Sequence, residues 1–197
     1  MRLIWKLSLI SCCVVILIAC QSKPKVEEIA EENEGYVEVD GKQKDELTVT
    51  LINEEEVEVG KAILQEGNAG VEVTIEADHL PAGSHGFHIH DKGICEAPSF
   101  ESAGGHFNPT DKMHGFNHPD GPHAGDMENL EVEKDGTVKA TFLNEKVTLQ
   151  KDDIHSLFTE DGTSLVIHEK ADDYESQPAG DAGDRIACGV IVPESSK

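Results

Sequence analysis

The chain is 197 residues long, enough for one well-buried domain with a tail and too short for a second full domain beside it. Asp and Glu number 39 against 16 Lys and Arg, and the formal net charge of -23 excludes electrostatic attraction to nucleic acid or to an anionic lipid surface. An apolar fraction of 38%, with short Val and Ile runs between Gly and Asp, points to strands joined by turns rather than to long amphipathic helices.

Arg2 and Lys6 precede an apolar run over 7–19 that is too short for a comfortable membrane span, so residues 1–19 read as a targeting segment. Leu17, Ile18, Ala19 and Cys20 resemble a bacterial lipobox, in which Cys20 is lipidated and becomes the first residue after cleavage. An uncleaved anchor and an ordinary secretory peptide are the alternatives, and all three place the following domain outside the cytoplasm. Residues 20–46 are rich in Glu and Lys and poor in large apolar side chains. Such a segment buries too little surface to offset its chain entropy, and reads as a flexible acidic tether before a domain at 47–197. Cys12 and Cys13 leave with the targeting segment and Cys20 would carry lipid. Cys95 and Cys188 then remain as an even pair in an oxidising compartment and are expected to form one disulfide.

Period-two alternation predicts strands around Leu47, Val49 and Leu51, then Val57, Val59, Ala62 and Leu64, then Val71, Val73 and Ile75. A fourth strand carries Gly86, Phe87, His88, Ile89 and His90. Successive strand side chains point to opposite faces, so His88 and His90 share one face while Phe87 and Ile89 face the core. Periodicity then lapses until Leu130, Val132, Val138, Ala140 and Phe142, which flank a turn at Asp135 and Gly136. Further strands are expected over 165–167 and 186–191, separated by a Gly- and Asp-rich loop over 169–184. Eight short antiparallel strands imply an all-β fold, a Greek-key barrel or sandwich with two long loops.

A loop of the length that follows His90 needs a reason, and its residues supply one. His106, His114, His123 and Asp126 provide three imidazoles and a carboxylate, a set acceptable to a tetrahedral zinc ion that would fold the loop around itself. His118 has no assigned role and is expected at the surface, and His79, His85 and His155 are expected at turns or at the surface.

Gly86-Phe87-His88-Ile89-His90, Gly104-Gly105-His106-Phe107-Asn108-Pro109, His123-Ala124-Gly125-Asp126 and Ala187-Cys188-Gly189-Val190-Ile191 together resemble the copper,zinc superoxide dismutase family over roughly 47–192. The resemblance implies one copper on His88, His90, His106 and His168, and one zinc on His106, His114, His123 and Asp126. His106 would bridge the two ions through its two ring nitrogens. The implied activity is disproportionation of superoxide: one superoxide reduces copper and leaves as dioxygen, and a second reoxidises it and leaves as hydrogen peroxide. Protons would come from His106 and water. Asp172 matches the family carboxylate that orients imidazoles of both sites, including His88 and His114. Arg185 matches the cation that attracts and orients the anionic substrate.

Pro178 and Ala179 stand where many relatives carry lysine and threonine, and Asp181 and Asp184 add negative charge nearby, so weaker steering of the anion is expected. A metal-binding lipoprotein without redox cycling, buffering copper or serving a structural role, is the competing reading. Completeness of the copper histidines and Arg185 favours the enzyme. Dimer surfaces differ between branches of the family, so monomer and homodimer are both compatible with this sequence.

Overall fold

The computed structural model describes residues 46–193, so the targeting segment, Cys20 and nearly all of the tether lie outside the described residues. Among the described residues nine strands form: β1 (Glu46–Asn53), β2 (Glu58–Glu66), β3 (Val71–Ala77), β4 (Gly83–His85), β5 (Phe87–His90), β6 (Leu130–Val132), β7 (Val138–Asn144), β8 (Thr163–His168) and β9 (Arg185–Ile191). Among the described residues the only helical element is one short 3₁₀ turn, Glu101–Ala103.

Seven strands make one sheet in the order β5-β8-β9-β1-β2-β3-β7, antiparallel at every pairing. After β3 the chain crosses to β5 at the far edge and comes back as β7 beside β3, a Greek-key crossing. The two edges approach each other where the rings of Phe87 and Phe142 lie 5.8 Å apart, and the short β4 and β6 pair spans the seam. The strand count exceeds the expected eight because Gly83–His85 forms a further strand just ahead of the expected fourth one. β4 pairs with β6 and β5 with β8, so the chain changes sheets at this corner.

The alternation places Leu47, Val49 and Leu51 of β1 and Val71, Val73 and Ile75 of β3 in one core with Phe87, Ile89, Leu165 and Ile167. Val57 departs from its expected inward position: it precedes β2 and is 53% exposed. Val59 and Ala62 both reach the core despite their odd spacing, because Leu51 pairs with Gly60 and Ile52 with Glu58, leaving Val59 as a bulge residue.

Two strands break the inside-outside rule. All four residues of β5 and all six of β8 are buried, although an outer strand face ordinarily meets water. Loops 91–129 and 169–184 cover that outer face, and the histidines lie beneath them.

Candidate metal centre

The free edge of β5 is where the long loop is anchored. Ile89 N–H donates to Gly125 O at 2.8 Å, Phe107 N–H to Ile89 O at 2.8 Å and Asp91 N–H to Gly105 O at 2.9 Å. These bonds set His106 opposite His90 and Asp126 opposite His88. Gly125 is needed here, since a Cβ at that position would lie 2.2 Å from Ile89 O. Two short ladders thus carry loop residues to strand residues.

The result is two clusters that share His106. His88, His90, His106 and His168 form one, and His106, His114, His123 and Asp126 the other, with the candidate ligand atoms of each within 4.8 Å of one another and every residue buried. Hydrogen bonds to the far nitrogen of several rings fix which nitrogen carries hydrogen and which presents a lone pair. His88 Nε2 donates to Asp172 Oδ2 at 2.7 Å and His114 Nε2 to Asp172 Oδ1 at 3.0 Å, so each turns Nδ1 inward. His90 Nδ1 donates to Gly104 O at 3.0 Å, leaving Nε2 to face His168 Nε2 at 3.4 Å.

His88 Nδ1, His106 Nε2, His114 Nδ1 and His123 Nδ1 are buried without a hydrogen-bond partner among the described residues. An orphaned buried polar atom costs roughly 1 to 3 kcal/mol, and four of them converging is a poor arrangement for protein alone. Cations that accept these lone pairs remove the conflict. Four imidazoles suit copper, while three imidazoles and a carboxylate suit zinc, so the residues present fit both ions.

Electrostatics differ between the two halves. Burial holds His90 well below its ordinary range, helped by His106, His168 and Arg185. It takes His168 down to about 3 with the help of His88 and His106, and His106 down to about 4 against the pull of Asp126. These rings stay neutral, the form a metal needs. For His114, burial opposes the charge, but the neighbouring carboxylates of Asp126 and Asp172 outweigh it and lift the ring to about 9. Burial likewise works against the Asp126 carboxylate. The hydrogen bond from His106 and the close imidazoles of His114 and His123 overcome it and hold Asp126 far below the usual carboxylate range, so a negative charge waits at the zinc position. Asp172 is lowered in the same way, burial being outweighed by His114 and His88.

Arg185 begins β9 opposite His168 in the β8–β9 register. Its Nη1 donates to Phe100 O and its Nη2 to Gly104 O, both at 2.6 Å, and it makes no ion pair with Asp181 or Asp184. The loop that supplies those carbonyls is tied to β9 by the Cys95–Cys188 disulfide, 93 residues apart in sequence. Phe100, Ala103, Val166 and Cys188 pack as a small second core beneath it.

His85 is not a surface residue. It is 3% exposed, with Nδ1 2.8 Å from His168 O and Nε2 2.8 Å from Pro81 O, so it braces the backbone of a candidate copper ligand. His118 is half-buried rather than exposed, and its Nδ1 accepts from Asp120 N–H at 3.1 Å. Asn129 went unnoticed in the sequence: its carboxamide accepts from Asp172 N–H and donates to Asp172 O, both at 2.9 Å, steadying the shared carboxylate. A single Asn before a predicted strand offers no pattern by which to find it.

Comparison with known proteins follows the same lines. Residues 58–191 match the family model described as copper/zinc superoxide dismutase. The protein named superoxide dismutase [Cu-Zn] 2 of Aquifex aeolicus is 54% identical over 142 residues, covering 72% of this chain and 83% of that relative. Among solved structures, a SOD-like protein from Bacillus subtilis superposes with a TM-score of 0.72 at 44% identity, over 74% of this chain and 97% of that one. The Cu/Zn superoxide dismutase from Brucella abortus gives a TM-score of 0.62 at 28% identity, over 75% of this chain and 99% of that one.

Proposed function

The chain belongs to the copper/zinc superoxide dismutase family, and from that premise we propose how its residues divide the work of converting two superoxide anions and two protons into dioxygen and hydrogen peroxide. His88, His90, His106 and His168 hold the copper, and His106, His114, His123 and Asp126 hold the zinc. The observation that carries this division is the convergence of partnerless ring nitrogens, those of His88, His106 and His114 having their opposite nitrogens hydrogen-bonded. Bound copper supplies the one-electron exchange, and bound zinc, without redox chemistry of its own, adds charge and order to the loop.

The protein supplies the rest. Arg185, fixed by two carbonyls beside His168, gives a permanent cation to which the small anion is drawn and against which it is oriented. Nε2 of His106 is the buried atom that takes up and yields a proton, and water delivers the other. Asp172 keeps the hydrogens of His88 and His114 on their outward nitrogens, so both rings present lone pairs to the metals. A metal-buffering protein has no use for an arginine held in this way.

Around Arg185 the cleft is also lined by Glu54, Glu101, Asp184, Pro98 and Ser99, and Lys170 is the one lysine in the loop over 169–184, with Pro178 and Ala179 uncharged nearer the arginine. Steering is accordingly weak. Raising ionic strength is expected to change the superoxide decay rate little, whereas Arg185→Ala lowers it about tenfold. A steep fall with salt would contradict the weak steering, and an unchanged rate in Arg185→Ala would contradict the role of the guanidinium.

The disulfide fits an extracytoplasmic protein. We further infer anchoring through lipid on Cys20, with 20–46 as the tether to the domain at 47–197, on the strength of Leu17-Ile18-Ala19-Cys20. Labelled palmitate should enter the wild type and not Cys20→Ser; equal labelling would overturn this. Both a monomer and a homodimer are compatible with a single domain on such a tether, and sedimentation distinguishes them.

A further inference from the structure

Loop 169–184 touches the long loop at His114 through Gln177, a residue that binds no metal and has no place in the mechanism so far. His114 N–H donates to Gln177 Oε1 at 2.9 Å, and Gln177 Nε2 donates back to His114 O at 2.9 Å. One carboxamide therefore pairs with both polar groups of this residue's backbone, as a neighbouring strand would. The same Nε2 also donates to Glu175 O at 2.9 Å, which fixes the side chain within its own loop.

Nearby contacts leave this segment little freedom to move. Asn117 N–H donates to Tyr174 O at 3.0 Å, and Gly115, at φ +94, admits Tyr174 O so closely that a Cβ there would lie 2.0 Å from it. Gly115 N–H and His123 N–H donate to Asp126 Oδ2 at 2.9 and 3.0 Å, fixing the carboxylate end of the cluster. His114 is thus gripped twice by one loop, at its ring by Asp172 and at its backbone by Gln177.

The division of labour between those grips differs. Asp172 settles which ring nitrogen faces inward, but a ring hinged at Cβ can still swing if its backbone shifts. Gln177 fixes the backbone from which the ring is hung. We propose that Gln177 is a positioning residue for the zinc site, holding His114 where its Nδ1 meets the lone pairs of His106, His123 and Asp126. The proposal rests on the zinc assignment made above. It requires a carboxamide and nothing else, because the site needs one acceptor and one donor on the same planar group. Glutamate keeps the shape but sets a carboxylate oxygen against His114 O, and alanine removes both bonds.

The test compares zinc affinity of the full chain, by chelator competition, in wild type, Gln177→Ala and Gln177→Glu, with cobalt(II) absorption as a readout of geometry at the same site. Both variants are expected to bind zinc about 10- to 100-fold more weakly and to show altered cobalt bands, with copper affinity changed much less. If Gln177→Ala does not fold, the isosteric glutamate variant still decides. Affinity in Gln177→Glu equal to that of wild type overturns the proposal, since packing alone would then suffice. Failure of the wild type itself to bind zinc overturns the zinc assignment instead.

Discussion

Replacing His168 with alanine is expected to lower superoxide consumption by more than about 100-fold, a larger loss than the 10- to 100-fold usual for residues that only support a ligand. The substitution removes one of four imidazoles converging on the copper position and little else. His168 N–H donates to Gly86 O and its carbonyl receives His85, and both contacts belong to the backbone and survive the change. The side chain touches no zinc-side residue by hydrogen bond; its Nδ1 reaches Gly183 O at 3.4 Å and its Nε2 faces His90. Copper content should therefore fall while zinc content and the folded sheet persist. Elemental analysis beside the activity assay checks this, and a variant with full copper and undiminished activity would remove His168 from the site.

Loss of the disulfide is expected to destabilise the domain by about 2 to 5 kcal/mol, near the upper end because the cross-link closes a long stretch of chain. Cys95 and Cys188 are separated by 93 residues, a span that includes the whole ligand loop and β6 to β8. Chain entropy released in the unfolded state is one contribution. Local order is the other: Cys188 is fully buried against Phe100, Ala103 and Val166, and Phe100 and Gly104 present the carbonyls that hold Arg185. Replacing both cysteines with serine should therefore reduce activity even where the domain remains folded. Denaturant unfolding of the metal-loaded protein measures the first effect, and a shift below about 1 kcal/mol would mean that the metals alone organise this loop.

Strand patterns and metal-ligand types were readable from the sequence because each has a short-range periodicity. Leu47, Val49 and Leu51 alternate, His88 and His90 fall on one strand face, and the imidazoles of the long loop stand among Gly and Pro rather than in polar repeats. What escaped depends on contacts between distant segments. The additional strand β4 before Gly86 arises because β4 and β5 find different partners, Leu130–Val132 on one side and Thr163–His168 on the other. His85 looked like a turn residue because nothing local shows that Pro81 and His168 carbonyls close on its ring. Asn129 and Gln177 are invisible for the same reason, being single carboxamides whose meaning lies in backbones 43 and 63 residues away. The bulge at Val59 likewise needs β1 as its ruler.

The central claim is that this double cluster works as a redox site rather than as a store of metal. The direct measurement is superoxide decay with product analysis on the purified protein loaded with one copper and one zinc. Catalytic decay yielding dioxygen and hydrogen peroxide in equal amounts is the predicted result. A fully metallated protein that leaves superoxide to its spontaneous decay would contradict it.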